Sequence, residues 1–368
     1  MAKQVVTPWE VQGDIDYGKL IKQFGVQPLD RIPDFFKEHV LFRRQFTFAH
    51  RDVGIVFDAI KKKEPFAMMT GMMPTGKFHI GHMMVAQQII AYQKLGAKIY
   101  ITVADVEAYQ SRGIPFSEGR KTAIEEYIKN YIALGLSPKN CDLYFQSERS
   151  TDAKKSNAYY RLQNELARHA TFNEFKAVYG DITPGKMFAA TLQAADMLHA
   201  QLLPFEGPIP TIVPVGIDQD PHLRLARDLM KRLKTHKFKA LTSSYHRFLP
   251  GLGGGKMSSS DPTSFIALTD DAKTVKNKIN KYAFSGGRAT LEEHRKKGGD
   301  PHVDVAYQYL TLFEEDDKKL SQIHDDYVSG KLLSGEMKAL AIEKINTFLA
   351  KHQTAYAKTD TMLAKFGL

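Results

Sequence analysis

The chain has 368 residues, enough for two to three domains of ordinary size. Apolar residues make up 43% and charged residues 25%, which excludes a disordered chain, and no apolar run approaches the roughly 18 residues of a membrane span. Lys and Arg number 51 against 41 Asp and Glu, a formal charge of +10 that favours polyanionic partners without specifying one.

Residues 1–60 mix short apolar stretches with Pro8, Pro28 and Pro33 and read as an appended lid or small subdomain with one or two helices. The N-terminal MAKQVVTPWE lacks the apolar segment of a signal peptide, so a cytoplasmic location is expected. From Pro65 the pattern changes. Residues 66–70 form a short apolar run, read as a buried strand, which ends in the turn Gly71-Met72-Met73-Pro74-Thr75-Gly76. A helix is predicted over about 79–95, with Gly96 where a C′ glycine belongs. Residues 99–104 are a second apolar run with Asp105 and Glu107 at its carboxyl end. Ser117 reads as an N-cap with Glu118 in the first turn. Ile124, Tyr127, Ile128, Tyr131 and Leu134 then form a helical apolar stripe, closed by Gly135.

Residues 143–145 are a short strand, and 211–215 the last strand candidate, although Pro214 argues against a central position because proline cannot donate to the ladder. This alternation predicts an α/β fold: a doubly wound, Rossmann-like parallel sheet with helices on both faces, whose ligands bind beyond the carboxyl ends of the strands. The Gly71 turn, Asp105, Glu107 and Asp218 belong to that edge. Beyond about 249 the texture changes to a glycine-rich loop and then to helices; around 270–283, Ala272, Val275, Ile279 and Ala283 share one face. The expected divisions are 1–60, 61–260 and a helical 261–368. The single cysteine, Cys141, excludes an intrachain disulfide and a CxxC zinc site.

Two stretches carry chemistry. Gly71-x4-Gly76-Lys77 matches a P-loop except that Phe78 stands where a magnesium-binding hydroxyl is needed, and a phenyl ring cannot ligate a cation. The alternative is His79-Ile80-Gly81-His82 at the helix start. Histidines at i and i+3 share a side, the helix N-terminus supplies free N–H groups, and Gly81 lets a planar base come close. A metal-binding pair or ordinary surface histidines remain open from spacing alone. The second stretch is Lys256-Met257-Ser258-Ser259-Ser260 on the glycine-rich loop. A lysine followed by hydroxyls suits a polyphosphate whose charge moves toward a leaving group; the alternative is a solvated loop.

Together these elements resemble the HIGH and KMSKS signatures of class I aminoacyl-tRNA synthetases, with Ser259 where the second lysine of KMSKS usually sits. Most similar are the tryptophanyl enzymes of the archaeal and eukaryotic branch. Thr7-Pro8-Trp9-Glu10-Val11 resembles that branch's N-terminal segment, which packs over the ATP site. Val215 to Pro221, Lys256 to Pro262, and Ala283-Phe284-Ser285-Gly286-Gly287-Arg288 with Glu292-Glu293-His294-Arg295 and Gly298-Gly299 match it too.

The resemblance implies ATP-dependent ligation of L-tryptophan to tRNA(Trp) through an adenylate. It places His79, His82, Lys256, Ser258 and Ser259 on the phosphates. Thr70, Gly71, Pro74, Gly76, Gly81, Asp218 and Met257 go around ATP, and Glu107 and Gln193 on the substrate amino group. Gln219, with Asp218, would face the ribose and the amino-acid pocket.

In the indole pocket, Met69 and Thr102 stand where the branch carries a tyrosine and a glutamine. Leu192 to Leu198 instead resembles the bacterial pattern, which makes Asp196 the expected indole reader: indole offers one donor, and an ionised carboxylate accepts. A surface aspartate is the alternative. Met68, Met69, Met72, Met73, Met83 and Met84 either line an adaptable aromatic pocket or fill the core.

Mg2+ is expected on phosphates and water rather than in a protein cage. A homodimer without membrane attachment is implied by the family. For tRNA, two basic clusters are candidates: Lys231, Arg232, Lys234, Lys237 and Lys239, and Lys273, Lys276, Lys278, Lys281, Arg288, Arg295, Lys296 and Lys297. A tyrosyl enzyme, a P-loop ATPase or kinase, and a non-catalytic RNA-binding relative are the competing readings.

Overall fold

The computed structural model describes residues 16–255, 257 and 261–368, together with the backbone of 5–6 and 11–12. Seven strands make one sheet: β1 (Gln27–Pro28), β2 (Thr47–Arg51), β3 (Ala67–Met72), β4 (Lys98–Val103), β5 (Cys141–Phe145), β6 (Thr211–Gly216) and β7 (Leu241–His246). Their order across the sheet is β1-β2-β7-β6-β3-β4-β5. The strands β3 to β7 run parallel, while β2 is antiparallel to β7 and β1 to β2. Strand order therefore reverses between β3 and β6, which opens a crevice at their carboxyl ends.

The helices that matter for function are α1 (Ile80–Lys94), α2 (Asp105–Arg112), α3 (Ala153–His169), α4 (Pro184–Leu198) and α5 (Asp220–Arg232). The C-terminal part adds α6 (Ala272–Tyr282), α7 (Val305–Phe313) and α8 (Ser334–Tyr356). Alternation along the strands divides the core in two. Met68, Ile99 and Ile101 pack with Ile80 and Met83 of α1 on one face, whereas Met69 and Tyr100 pack with Tyr159 of α3 and Ala194 of α4 on the other.

Three expectations need correction. The strand β7 follows the segment read as the last strand. Its sequence, Leu-Thr-Ser-Ser-Tyr-His, hid it: three hydroxyl residues look like a surface loop, yet all six positions are buried. Pro214 does lie in an interior strand. β6 pairs with β3 only at Thr211 and Ile212, so pairing on that side has ended by Pro214. Thr211 donates toward Ala240, so by alternation the missing N–H of Pro214 faces the crevice, where no ladder bond is needed.

The core runs on across residue 60. Phe36, Leu41, Phe42 and Val56 share one cluster with the sheet and with Val275, Ile279 and Ile345 of the C-terminal helices. Arg51 of β2 also binds Asp220, which is fully buried at the start of α5, at 2.7 and 2.9 Å. Ser117 lies inside the helix Phe116–Thr122, whose N-cap is Pro115.

The 283–299 block forms a joint within the helical part. The buried carboxylate of Asp304 accepts from the Gly286 N–H at 2.9 Å and the Tyr327 hydroxyl at 2.7 Å, and His294 Nε2 bonds the Leu332 carbonyl at 2.9 Å. Among the described residues no helix is long and apolar enough to cross a membrane.

Candidate active site

His79 is the N-cap of α1. Its Nδ1 accepts the Gly81 N–H at 3.1 Å, and the Nδ1 of His82 accepts the His79 N–H at 3.2 Å. With both Nδ1 atoms accepting, each ring carries its proton on Nε2. Burial lowers the pKa of His79 well below the ordinary imidazole value and that of His82 to about 4, so both are neutral at pH 7. The helix tip thus presents neutral N–H dipoles on two rings stacked 3.8 Å apart, where the helix dipole already favours an anion.

The chain beyond the lysine-bearing loop returns to this tip. Ile80 N–H donates to the Ile266 carbonyl at 3.2 Å, Leu268 N–H to the Phe78 carbonyl at 3.0 Å, and the Phe265 ring lies 5.0 Å from that of His79. A Cβ on Gly81 would stand 3.0 Å from the His79 ring and 3.3 Å from the Met257 sulfur. A methyl group here would press on the capping imidazole and the Met257 thioether, which would have to give by a few tenths of an ångström. Lys256, Ser258 and Ser259 themselves lie outside the described residues, as do Thr7 to Glu10.

A cavity of about 420 Å³ fills the crevice between β3 and β6. It gathers Met69, Gly71, His82, Thr102, Glu107, Gln193, Asp196, Asp218 and Gln219 from the sequence reading. Thr70, Pro74, Gly76, His79, Gly81 and Met257 are outside its lining. Thr70 is buried on the opposite side of β3 from Met69 and Gly71 by strand alternation, and Pro74 packs toward Gly119. The methionines split likewise: Met69, Met72 and Met73 line the cavity, while Met68, Met83 and Met84 are core.

Asp196 is not on a helix surface; it is 1% exposed. Its Oδ1 accepts the hydroxyls of Tyr144 at 2.7 Å and Tyr159 at 2.6 Å, and its Oδ2 accepts the amide of Gln146 at 2.8 Å. Burial raises its pKa to about 6, against the lowering effect of those three bonds and of Arg149. Burial, and then the charge of Asp196, raises Glu107 to about 7. Gln193 Oε1 and His222 Nδ1 are buried with no hydrogen-bond partner; a ligand ammonium or other donor would satisfy the first. At the other wall, a Cβ on Gly216 would fall 2.4 Å from Asp218 Oδ1, so only glycine lets that carboxylate turn back beside β6.

Sequence reasoning missed Tyr144, Gln146, Tyr159, Arg112 and His222. Tyr144 and Gln146 sit two apart at the end of β5, a spacing that puts both on one face and was legible in principle. Nothing local marks Tyr159 or His222. The Tyr127 and Tyr131 stripe proves to be partly site wall: the helix there widens into a π-turn over Ala123–Ile128, and the Tyr127 hydroxyl donates to Thr75 at 2.9 Å. No group of three His, Cys, Asp or Glu side chains converges to hold a metal among the described residues. Of the basic clusters, Arg232 is tied to Glu174, Lys278 to Asp270 and Lys297 to Glu293, and Arg288 and Arg295 bind backbone carbonyls; Lys273, Lys276, Lys281 and Lys296 are exposed.

A switch-point cavity that reaches His82 of a histidine-capped helix start defines a class. A family model described as tRNA synthetases class I (W and Y) matches residues 61–350, and the chain belongs to that family. Its similarity to individual members runs over the whole length. The tryptophan–tRNA ligase of Methanocaldococcus jannaschii is 46% identical, with 94% of this chain and 93% of that protein aligned. That of Aeropyrum pernix is 41% identical over 99% and 98%. A crystal structure of the tryptophanyl-tRNA synthetase of Aeropyrum pernix superposes with a TM-score of 0.89 at 42% identity, covering 95% of this chain and 96% of that one. Within the family, the chain sits among the tryptophan–tRNA ligases.

Proposed function

We propose that this chain ligates L-tryptophan to tRNA(Trp) by way of a tryptophanyl-adenylate made from ATP. The observation that carries the reading is the bonded, buried carboxylate of Asp196 at the floor of a cavity whose mouth reaches His82. A carboxylate offers about four acceptor positions. Three are taken by protein donors, which leaves one for the single N–H of an indole. Phenylalanine would leave that position unpaired in a dry site, a costly mismatch.

In this reading Glu107 and the unpartnered Gln193 Oε1 receive the substrate ammonium, Met69, Met72 and Met197 contact the ring, and Asp218 and Gln219 face the ribose. The substrate carboxylate attacks the α-phosphorus, and pyrophosphate leaves. No protein nucleophile is needed; orientation and charge stabilisation suffice. The Nε2–H groups of His79 and His82 donate to phosphate oxygens, and Lys256 with Ser258 and Ser259 follows the departing charge. Mg2+ would be held by phosphate oxygens and water, as that hard ion usually is. A terminal ribose hydroxyl of the tRNA then attacks the activated carbonyl, the acyl–phosphate bond breaks and AMP leaves. Exposed lysines of both basic clusters, among them Lys234, Lys237, Lys273, Lys276 and Lys296, would meet its backbone. The active form is read as a homodimer in the cytoplasm, with residues 261–368 as the anticodon-binding part.

The test is pyrophosphate exchange into ATP with each of the twenty amino acids in turn. Exchange dependent on tryptophan is expected. Exchange dependent on tyrosine instead, or ATP hydrolysis with no amino acid, would overturn the reading.

A further inference from the structure

We propose that Gln146 is a positioning residue that ties the two ends of the amino-acid pocket together, so that the indole end and the ammonium end are oriented as one unit. This rests on the pocket assignment above. Gln146 stands one residue beyond β5 and is completely buried. Its Nε2 donates to Asp196 Oδ2 at 2.8 Å, and its Oε1 accepts the backbone N–H of Glu107 at 3.2 Å. One planar amide therefore spans from the carboxylate of α4 to the first turn of α2, the turn that carries the Glu107 side chain. A flipped amide would set oxygen against carboxylate and NH2 against N–H, so the network fixes its orientation.

Only an amide of this length meets both demands. It needs a donor toward Asp196 and an acceptor toward Glu107, one on each branch. Glutamate keeps the length and the acceptor, but its second oxygen faces Asp196 and can donate only when protonated. Leucine offers neither. The charged and titratable groups around the pair include Glu107, Arg112, Tyr144, Arg149, Tyr159, Tyr160 and Tyr179. The cationic members, Arg149 and Arg112, act on Asp196 and Glu107 respectively. The backbone of Gln146 is anchored independently: its N–H donates to Val103 at 3.0 Å and its carbonyl accepts the Tyr160 hydroxyl at 2.7 Å. Side-chain variants therefore leave the strand end in place.

The experiment compares the full-length parent, Gln146→Leu and Gln146→Glu in tryptophan-dependent pyrophosphate exchange across pH 5.5 to 8.5, together with melting temperatures. Loss of a hydrogen bond to a charged group predicts that Gln146→Leu raises KM for tryptophan about ten- to hundredfold, while KM for ATP stays near that of the parent. Gln146→Glu is expected to recover toward parental kcat/KM as pH falls, because the added proton restores the donor; the parent loses tryptophan use in the same direction. A parental KM for tryptophan in Gln146→Leu, or a Gln146→Glu profile parallel to the parent's, would overturn the proposal. So would equal rises in both KM values with a lowered melting temperature, which mark a structural role only. A parent that does not use tryptophan brings down the pocket assignment itself and this proposal with it; a fully active parent beside a neutral Gln146→Leu brings down this proposal alone.

Discussion

The two ends of the catalytic cleft solve opposite electrostatic problems. At the floor, Asp196 and Glu107 are carboxyls taken out of water, and Asp196 is held by three donors before any substrate arrives. At the mouth, His79 and His82 carry no charge at neutral pH, and each has its Nδ1 committed to the helix N-terminus. The floor is built around a fixed ionisable acceptor and the mouth around fixed neutral donors. Recognition of one donor among similar rings needs an acceptor that is expensive to leave unpaired. A polyphosphate brings its own charge, and a dipolar tip can bind it without burying a cation.

That contrast can be broken from either side. The largest effect is expected at Lys256. Lys256→Ala should slow adenylate formation about 100- to 1,000-fold, as for a contact made to departing charge, with tryptophan and ATP binding changed little. Pre-steady-state measurement of adenylate formation checks this; a change in affinity without a change in rate would move Lys256 to the ground state. At the floor, Asp196→Ala should lower kcat/KM for tryptophan about a hundredfold and leave KM for ATP nearly unchanged. Parental tryptophan kinetics in that variant would remove Asp196 as the indole reader.

The third prediction separates the ends by pH. The carboxyls of Asp196 and Glu107 are raised from ordinary values of 3.8 and 4.5 to about 6 and about 7. Between those limits the folded chain holds more protons at these sites than the unfolded chain. Their contribution to stability therefore falls as pH rises through that window. In the proposed reading substrate binding needs the ionised forms, so KM for tryptophan should fall over the same rise in pH. The melting-temperature difference between the parent and Asp196→Asn isolates the first effect from the buried histidines, which act in the opposite sense. A difference that does not vary with pH would contradict it. Smallest of the four, Gly81→Ala places a methyl 3.0 Å from the His79 ring. Disturbing the cap should cost about 1 kcal/mol of stability and a severalfold loss in kcat, read by thermal melts and exchange kinetics.

Much of the phosphate end was legible before any coordinates. A helix start, its capping histidines and a close-approach glycine are local features, written in consecutive residues. Asp196 was also legible as a residue type, but not its state: a surface aspartate and a triply bonded buried one have the same local sequence. The donors that make the difference come from β5 and α3, far away in the chain. Tyr159 was missed for the same reason, Gln146 although its spacing from Tyr144 was legible, and β7 because its hydroxyls are buried by neighbours on both sides rather than by an apolar pattern of its own.

By itself, then, the order of residues determined the strand–helix alternation, the glycine turn after β3 and the histidine-capped helix start. Tertiary structure alone decided that residues 265–268 pair with 78–80, that the N-terminal strands join the catalytic sheet, and that Asp196, Gln146 and Glu107 form one bonded floor. Backbone periodicity and capping act over a few residues, so they survive in a local reading. Desolvation and cross-chain hydrogen bonding depend on which distant segments close over a group, and they exist only once the chain has packed.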